Sequence, residues 1–485
     1  MLSDHHEWLT AHTLLTLQIW DSKSLNYFNA QPVINFQNYG DKGITQLGSL
    51  KGVCDTNGNG YYVSYPQFAF QMPYLILRLV NAKINVTNLQ ILNLILHFVS
   101  ALFLFLLMLN MVEGIFLIRF LAATATYIVY VFSAGNLWFL QNVWFADTLV
   151  QFFLISSLLF YFLFEKTKKI KFQYLFFLSQ FFMCITEWIG VLFVSVFLCF
   201  QLYEILFHKK SARMFLVSLS IVSISIIIIV AEYLSITTLN NLISFWKFRF
   251  MSRTFIPNKT YNEESFAINN YHSWEVLFGN YKVAFSAYIF IPIIVVLSRL
   301  ITWIKNKRIE INKNAVFLIL ILLLSILAHH FIFFSFTVEH DFSLLKDSIL
   351  ISILAGILVY LWLHIKPKLI AISFLLLLLI ATSFSVHQYQ QFNAINCYPA
   401  NLFNTIAYSV NKYSTTDDAV FIIYKGNKTN WLETPQKYFY CQRNIQDIGN
   451  EAEATQWLKK NNIKSGVIFI DSMNAITRHI YLQNK

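Results

Sequence analysis

Apolar residues recur along this chain in runs of about twenty, separated by short stretches rich in Lys, Arg, Asn and Trp. As α-helices, runs of that length cross roughly 30 Å of hydrocarbon. Ten spans are read at approximately 91–110, 115–134, 145–164, 172–187, 189–207, 214–234, 284–304, 315–335, 346–364 and 369–387. Only the short turn Thr186-Glu187-Trp188 separates the fourth from the fifth. Both ends of the chain break this pattern. Before residue 91 the sequence alternates short polar and apolar stretches, and Gly52–Asp55 and Tyr61–Ser64 flank Asn-Gly pairs as the arms of a β-hairpin. After residue 387, Ala419–Tyr424 and Gly466–Asp471 read as buried strands, Lys437–Gln442 as a third strand and Glu451–Lys460 as a helix.

The positive charges fix the sidedness. Lys166, Lys168, Lys169 and Lys171; Lys209, Lys210 and Arg213; Lys305, Lys307 and Arg308; and Lys366 and Lys368 form four clusters, and ten spans place all four on one face. The positive-inside rule makes that face cytoplasmic. Trp138, Trp144, Trp188, Trp303 and Trp362 fall at span ends, where interfacial aromatics belong. The expected fold class is therefore mainly α, a polytopic membrane helix bundle of about ten spans over 91–387. An extracytoplasmic first loop over 1–90 precedes it, and a small extracytoplasmic α/β domain over 388–485 follows. The loops 135–144, 235–283 and 336–345 also face outward. An even number of spans puts the N-terminus outside with no helix to carry it there, so a preceding span is expected ahead of Met1.

Composition agrees with a membrane protein. Hydrophobic residues make up 56%, mean hydropathy is +0.53 and only 13% is charged, a load that soluble domains do not carry. A net charge of +11 raises nucleic acid as a partner, but the cations sit in loops between spans and suit orientation and anionic headgroups instead. The chain opens with polar residues rather than a basic region and an apolar core, unlike a cleavable signal. Of five cysteines, Cys184 and Cys199 lie in apolar runs, while Cys397 and Cys441 are able to pair if the tail is outside the cytoplasm. The Phe, Ile, Asn and Lys bias is compatible with an AT-rich bacterial genome, and a bacterial inner membrane is the expected location.

The candidate chemistry begins at Asp4-His5-His6-Glu7-Trp8. Asp4 and Glu7 share a face if helical, with Ser3 or Asp4 as the N-cap. By itself this reads as an interfacial helix with dipole-compensating acids. Cys54-Asp55-Thr56-Asn57-Gly58-Asn59-Gly60 resembles the start of a calcium loop, but Pro66 stands where a bidentate Glu is needed, and a hairpin fits better. Tyr61-Tyr62-Val63-Ser64-Tyr65-Pro66-Gln67-Phe68 and an apolar segment to Val80 follow. His97 reads as a packed histidine, and Glu232 as an acid near an outer helix end. His329 and His330, near the outer end of their span, are left open between packing and lining a groove. His5, His6 and His12 with the acids could take a divalent metal, although no residue is assigned to one. Asn85-Val86-Thr87, Asn258-Lys259-Thr260 and Asn427-Lys428-Thr429 are sequons that matter only in a eukaryotic secretory setting.

Taken together these features resemble the first outer loop of the GT-C integral-membrane glycosyltransferases, notably protein O-mannosyltransferases and the bacterial transferases that decorate lipid A. By that resemblance Asp4 falls at the catalytic acid, Trp8 at an aromatic position one turn later and Pro66 at the first of two prolines. Asp147, in Trp144-Phe145-Ala146-Asp147, resembles a second family acid, and Glu339-His340-Asp341-Phe342 resembles a His-x-Tyr-Tyr-like outer motif. The chain departs from the pattern at His5, where a second acid is common and Glu7 is a substitute. It departs again at Gln67, the second proline position, and at Tyr65, where some members carry a phosphate-binding Lys. Arg249 and Arg253 with Lys247, or His340 and Lys346, are then the candidates for phosphate contact.

The resemblance implies a sugar carried on a polyprenyl phosphate, an acceptor hydroxyl on a lipid, glycan or protein, and inversion at the anomeric carbon. Asp4 is the expected base, with Asp147 or Glu7 orienting the acceptor or a metal. A proton acceptor of this kind is worth on the order of 10²–10⁴ in rate. Two other classes compete. A transporter or flippase would place charges near the bilayer midplane and show repeated halves, and neither is evident. A polysaccharide polymerase would use the large outer loop 235–283 but not the acidic opening.

Overall fold

The computed structural model describes residues 2, 5–41, 53–55, 57–209, 211–254, 267–304, 312–365, 369–392, 402–423, 434–470 and 476–481. Asp4, the basic clusters at 305–308 and 366–368, and Cys397 with its expected pairing lie outside the described residues, while Cys441 is a buried free thiol.

The helices in chain order are α1 (Glu7–Lys23), α2 (Phe68–Leu79), α3 (Val86–Met111), α4 (Phe116–Phe132), α5 (Ala134–Asn142), α6 (Ala146–Thr167), α7 (Ile170–Cys184), α8 (Trp188–His208) and α9 (Arg213–Leu234). They continue as α10 (Leu239–Arg253), α11 (Tyr271–Phe285), α12 (Ile291–Ile304), α13 (Lys313–Ile332), α14 (Phe334–Glu339), α15 (Leu345–Ile365), α16 (Leu369–Phe392), α17 (Leu402–Tyr413), α18 (Thr434–Cys441) and α19 (Glu451–Asn461). Strands β1 (Val53–Cys54) and β2 (Gly60–Tyr61) form a hairpin, and β3 (Ala419–Ile423), β4 (Ile445–Ile448), β5 (Ser465–Ile470) and β6 (Ile476–Tyr481) form a sheet.

Among the described residues seven segments are long and apolar enough to cross a membrane: α3, α6, α8, α9, Tyr271–Arg299, α13 and Asp341–Leu363. The pair α4 and α5, bent by 61°, makes an eighth if it counts as one span. The chain is thus a mainly helical integral membrane protein. Ten spans were expected. The difference lies in α7, whose 15 residues reach only about 22 Å, and in α16, where part of the side chains lies outside the described residues.

Two compact units result. The first comprises Met1–Leu89, Val230–Phe245 and Asn393–Lys485. Its α1 buries Leu9, Leu14, Leu17 and Trp20. The helix begins at Glu7, after His6 in the left-handed region (φ 58°), and the expected caps Ser3 and Asp4 lie outside the described residues. The expected sharing of one face by Asp4 and Glu7 lies outside the described residues as well. The hairpin forms as expected, with Val53 opposite Tyr61 and Cys54 opposite Gly60. Asp55 is bound to its own turn. Its Oδ1 accepts from the Asn57 and Asn59 amides (2.8 and 3.0 Å), and its Oδ2 accepts from Asn59 Nδ2 and the Tyr61 hydroxyl (2.7 and 2.9 Å). This is an Asx turn with the carboxylate's acceptor sites occupied.

In the tail the sheet order is β4-β3-β5-β6, parallel except for β6. Phe421 and Ile468 from the sheet pack with Ala454, Leu458 and Ile463. The expected strand Lys437–Gln442 is instead the end of α18. Its run Tyr438-Phe439-Tyr440 has strand propensity, but Pro435 suits a first helical turn, and Tyr438 and Cys441, three apart, are both buried. Gly40 lets the first segment approach the tail. A Cβ there would lie 2.0 Å from the Asp418 carbonyl oxygen, and the Gly40 amide donates to Thr416 O at 3.0 Å.

The second unit comprises Gln90–Ile229 and Trp246–Phe392. Here α4 lies tightly against α15. A Cβ on Gly356 would sit 2.2 Å from Thr126 Oγ1, so the missing side chain permits the approach, as small residues do between membrane helices. Asn93 Nδ2 donates to the carbonyls of Phe139 and Val143 (3.2 and 3.0 Å), satisfying the buried C-terminal end of α5. The chain then turns into α6, where the Phe145 amide donates to Thr148 Oγ1 at 3.1 Å. These two devices set Asp147 in the first turn of α6, where the helix dipole favours a carboxylate.

Candidate active site

In the second unit three helices converge on a lysine. Lys346, at the start of α15, donates from Nζ to Asp147 Oδ1 on α6 at 3.1 Å and contacts His329 Nε2 on α13 at 3.1 Å. All three side chains are buried. An ammonium can only donate, so His329 Nε2 is the acceptor and the ring proton sits on Nδ1. Two polar atoms of this group, Asp147 Oδ2 and His329 Nδ1, are buried without a hydrogen-bond partner among the described residues. Glu187, just ahead of α8, is buried too. One of its oxygens accepts from the Ile189 amide at 2.8 Å, and its carboxyl lies in the fields of Lys346, Asp147 and Arg253.

Beside this group α13 and α15 make a second pairing. His330 Nε2 meets Asp347 Oδ2 at 2.8 Å, and the Tyr281 hydroxyl donates to Asp347 Oδ1 at 3.0 Å. Arg253, at the end of α10, stacks its guanidinium over Phe336 at 4.8 Å. Glu339, exposed at the end of α14, lies in the fields of Arg253 and Arg249. His340 lies parallel to Phe342 at 5.1 Å and edge-on to Phe336 at 4.6 Å. The unit therefore brings Asp147 and Lys346 into direct contact and gathers Arg249 and Arg253 around one acid.

In the first unit Glu7 is buried at the start of α1. The His5 ring lies 4.1 Å from that of His6, whose Nδ1 accepts from Trp8 Nε1 at 3.3 Å. Tyr65 is buried. Its carbonyl accepts from the Tyr233 hydroxyl, and its ring lies parallel to Tyr62 at 6.3 Å. Pro66 leads into α2, and Gln67 Nε2 donates to Gln31 Oε1 at 2.9 Å. His12 is held edge-on between Tyr62 and Phe70, and burial lowers its pKa to about 3. Asp4 lies outside the described residues.

Three residues of the buried network, Glu187, Tyr281 and Asp347, were absent from the sequence-based candidates. A signal existed for one of them. The adjacent pairs His329-His330 and Lys346-Asp347 put four ionisable groups at the ends of two consecutive apolar runs. Such groups at membrane depth need partners.

The fold is shared over nearly the whole chain with two solved structures. The chain is similar to an oligosaccharyltransferase from Archaeoglobus fulgidus, solved in complex with zinc and sulfate, with TM-score 0.56 and 10% identity over 96% of this chain and 64% of that one. It is similar also to ArnT from Cupriavidus metallidurans in its apo state, with TM-score 0.56 and 11% identity over 97% of this chain and 88% of that one. The chain thus spans less than two thirds of the archaeal protein's length. No family model matches the sequence, and no curated protein matches it.

Proposed function

We propose that this protein is a glycosyltransferase that moves a sugar from a polyprenyl-phosphate carrier to a hydroxyl of a lipid, glycan or protein at the outer face of a bacterial inner membrane. The observation that carries the reading is the GT-C fold, matched over nearly the whole chain in two transferases. In the reaction the acceptor oxygen forms a bond to the anomeric carbon. The bond from that carbon to the carrier phosphate breaks, and phosphate leaves with the electron pair. The hydroxyl proton goes to a carboxylate, which we assign to Asp4, with Glu7 and His5 orienting the acceptor.

The cations divide into two roles. Arg249 and Arg253, half-buried, meet the leaving phosphate together with His340. Lys346, fully buried and paired with Asp147, supplies a fixed positive field behind them. A preoriented charge of this kind is strongest where water is excluded. Tyr65 and Pro66, at the entry to α2, we assign to substrate binding.

The test is Asp4→Asn in the full chain. Sugar-bearing species in cell-envelope extracts are expected to disappear while expression and membrane insertion stay as in the wild type. Undiminished transfer by the variant would remove Asp4 from the base role.

A further inference from the structure

Asp347 and His330 are the chain neighbours of Lys346 and His329, and no step above uses them. We infer that Tyr281, His330 and Asp347 form a positioning cluster that holds Lys346 in place. The inference deepens the proposed function, since Lys346 matters to it through its charge.

The two pairings run side by side. His329 contacts Lys346 at 3.1 Å, and one residue further along both helices His330 contacts Asp347 at 2.8 Å. Their polarities are opposite. His329 accepts at Nε2, whereas His330 donates from Nε2 to a carboxylate. The remaining His330 nitrogen faces Thr337 Oγ1 at 3.4 Å. That Thr–His–Asp order invites a nucleophile reading, but Thr337 is 0% exposed.

Lys346 needs such a brace. It lies at the N-terminal end of α15, where the helix dipole disfavours a cation and favours an acid. Asp347 satisfies the dipole, and its two oxygens are tied to different helices, Oδ2 to His330 on α13 and Oδ1 to Tyr281 on α11. Asn280, beside Tyr281, donates to the Val338 carbonyl at 3.0 Å and so secures α11 against α14 as well. Both oxygens of Asp347 thus have donors, and the first turn of α15 is fixed in rotation and height. From that position Lys346 reaches Asp147.

The test reads Lys346 directly and needs no sugar substrate. The detergent-solubilised full chain is treated with acetic anhydride, and acetylation at each lysine is followed by peptide mass spectrometry. Lys437, likewise buried but in the other unit, reports on general unfolding. Asp347→Asn and the milder Tyr281→Phe are each expected to raise Lys346 acetylation by about tenfold or more, as loss of one or two hydrogen bonds would, with Lys437 unchanged. Wild-type protection of Lys346 in both variants would overturn the inference, as would Lys437 rising in step with Lys346. An absence of sugar transfer by the wild type would strike the proposed function and leave this result standing.

Discussion

Each unit of this protein contains a buried ion pair, and the two pairs are built differently. In the first unit Arg443 Nε donates to both oxygens of Asp41 (3.1 and 3.2 Å), the Asn444 amide adds a bond to Oδ1 at 2.8 Å, and Asn38 Nδ2 one to Oδ2 at 2.7 Å. The other guanidinium nitrogens donate to the carbonyls of Thr415 and Asp418. In the second unit Lys346 meets Asp147 through one oxygen, while Asp147 Oδ2 and His329 Nδ1 have no hydrogen-bond partner among the described residues. A saturated pair fits a structural clamp, here between the first segment and the tail. An unsaturated buried pair costs free energy that a purely structural site would not retain. Together with its cluster of ionisable neighbours, this is the pattern expected of the charged site proposed above.

Removing one partner of the saturated pair should have the largest effect on stability. Arg443→Met leaves Asp41 buried without its cation, an expected loss of about 3–5 kcal/mol in chemical denaturation of the purified protein. A loss under about 1 kcal/mol would mean that the clamp is not one. The second change sharpens the contrast. The double variant Asp147→Asn with Lys346→Met removes both charges of the unsaturated pair, so its melting temperature should hold or rise. Transfer should nevertheless fall on the order of 10²–10³-fold. Retained transfer would reduce the pair to packing.

The smallest expected effect at neutral pH comes from His12, which has no charged partner among the described residues. Its pKa is lowered from 6.5 to about 3 by burial, so the unfolded chain takes up the proton first as pH falls. Its contribution to stability is present above pH 6.5 and is lost as pH drops from there toward 3. The slope is at most about 1.4 kcal/mol per pH unit. Thermal melts of His12→Phe across that window should show a shallower decline than the wild type. Parallel curves would mean that His12 is not buried in the neutral form.

The membrane part of the fold was readable because burial in lipid leaves a long, uniform apolar signature, and the hairpin because Asn-Gly supplies positive φ. Helix α18 was misread because three consecutive aromatics favour a strand locally, and tertiary burial of Tyr438 and Cys441 decided otherwise. Asp147 and Lys346 were both named from the sequence as separate candidates. Their direct pairing was not, because it joins residues 199 apart. Glu187 was hidden for a related reason. It sits in the short turn between α7 and α8, where one acid reads as a loop residue, and only packing buries it.

The most direct measurement of the central claim is mass spectrometry of cell-envelope lipids and glycans from the source cells with and without the gene. A sugar-bearing species that vanishes with the gene, accompanied by build-up of a polyprenyl-phosphate sugar, is the result predicted here. Identical glycan and carrier profiles in the two strains, with the protein expressed in one of them, would contradict it.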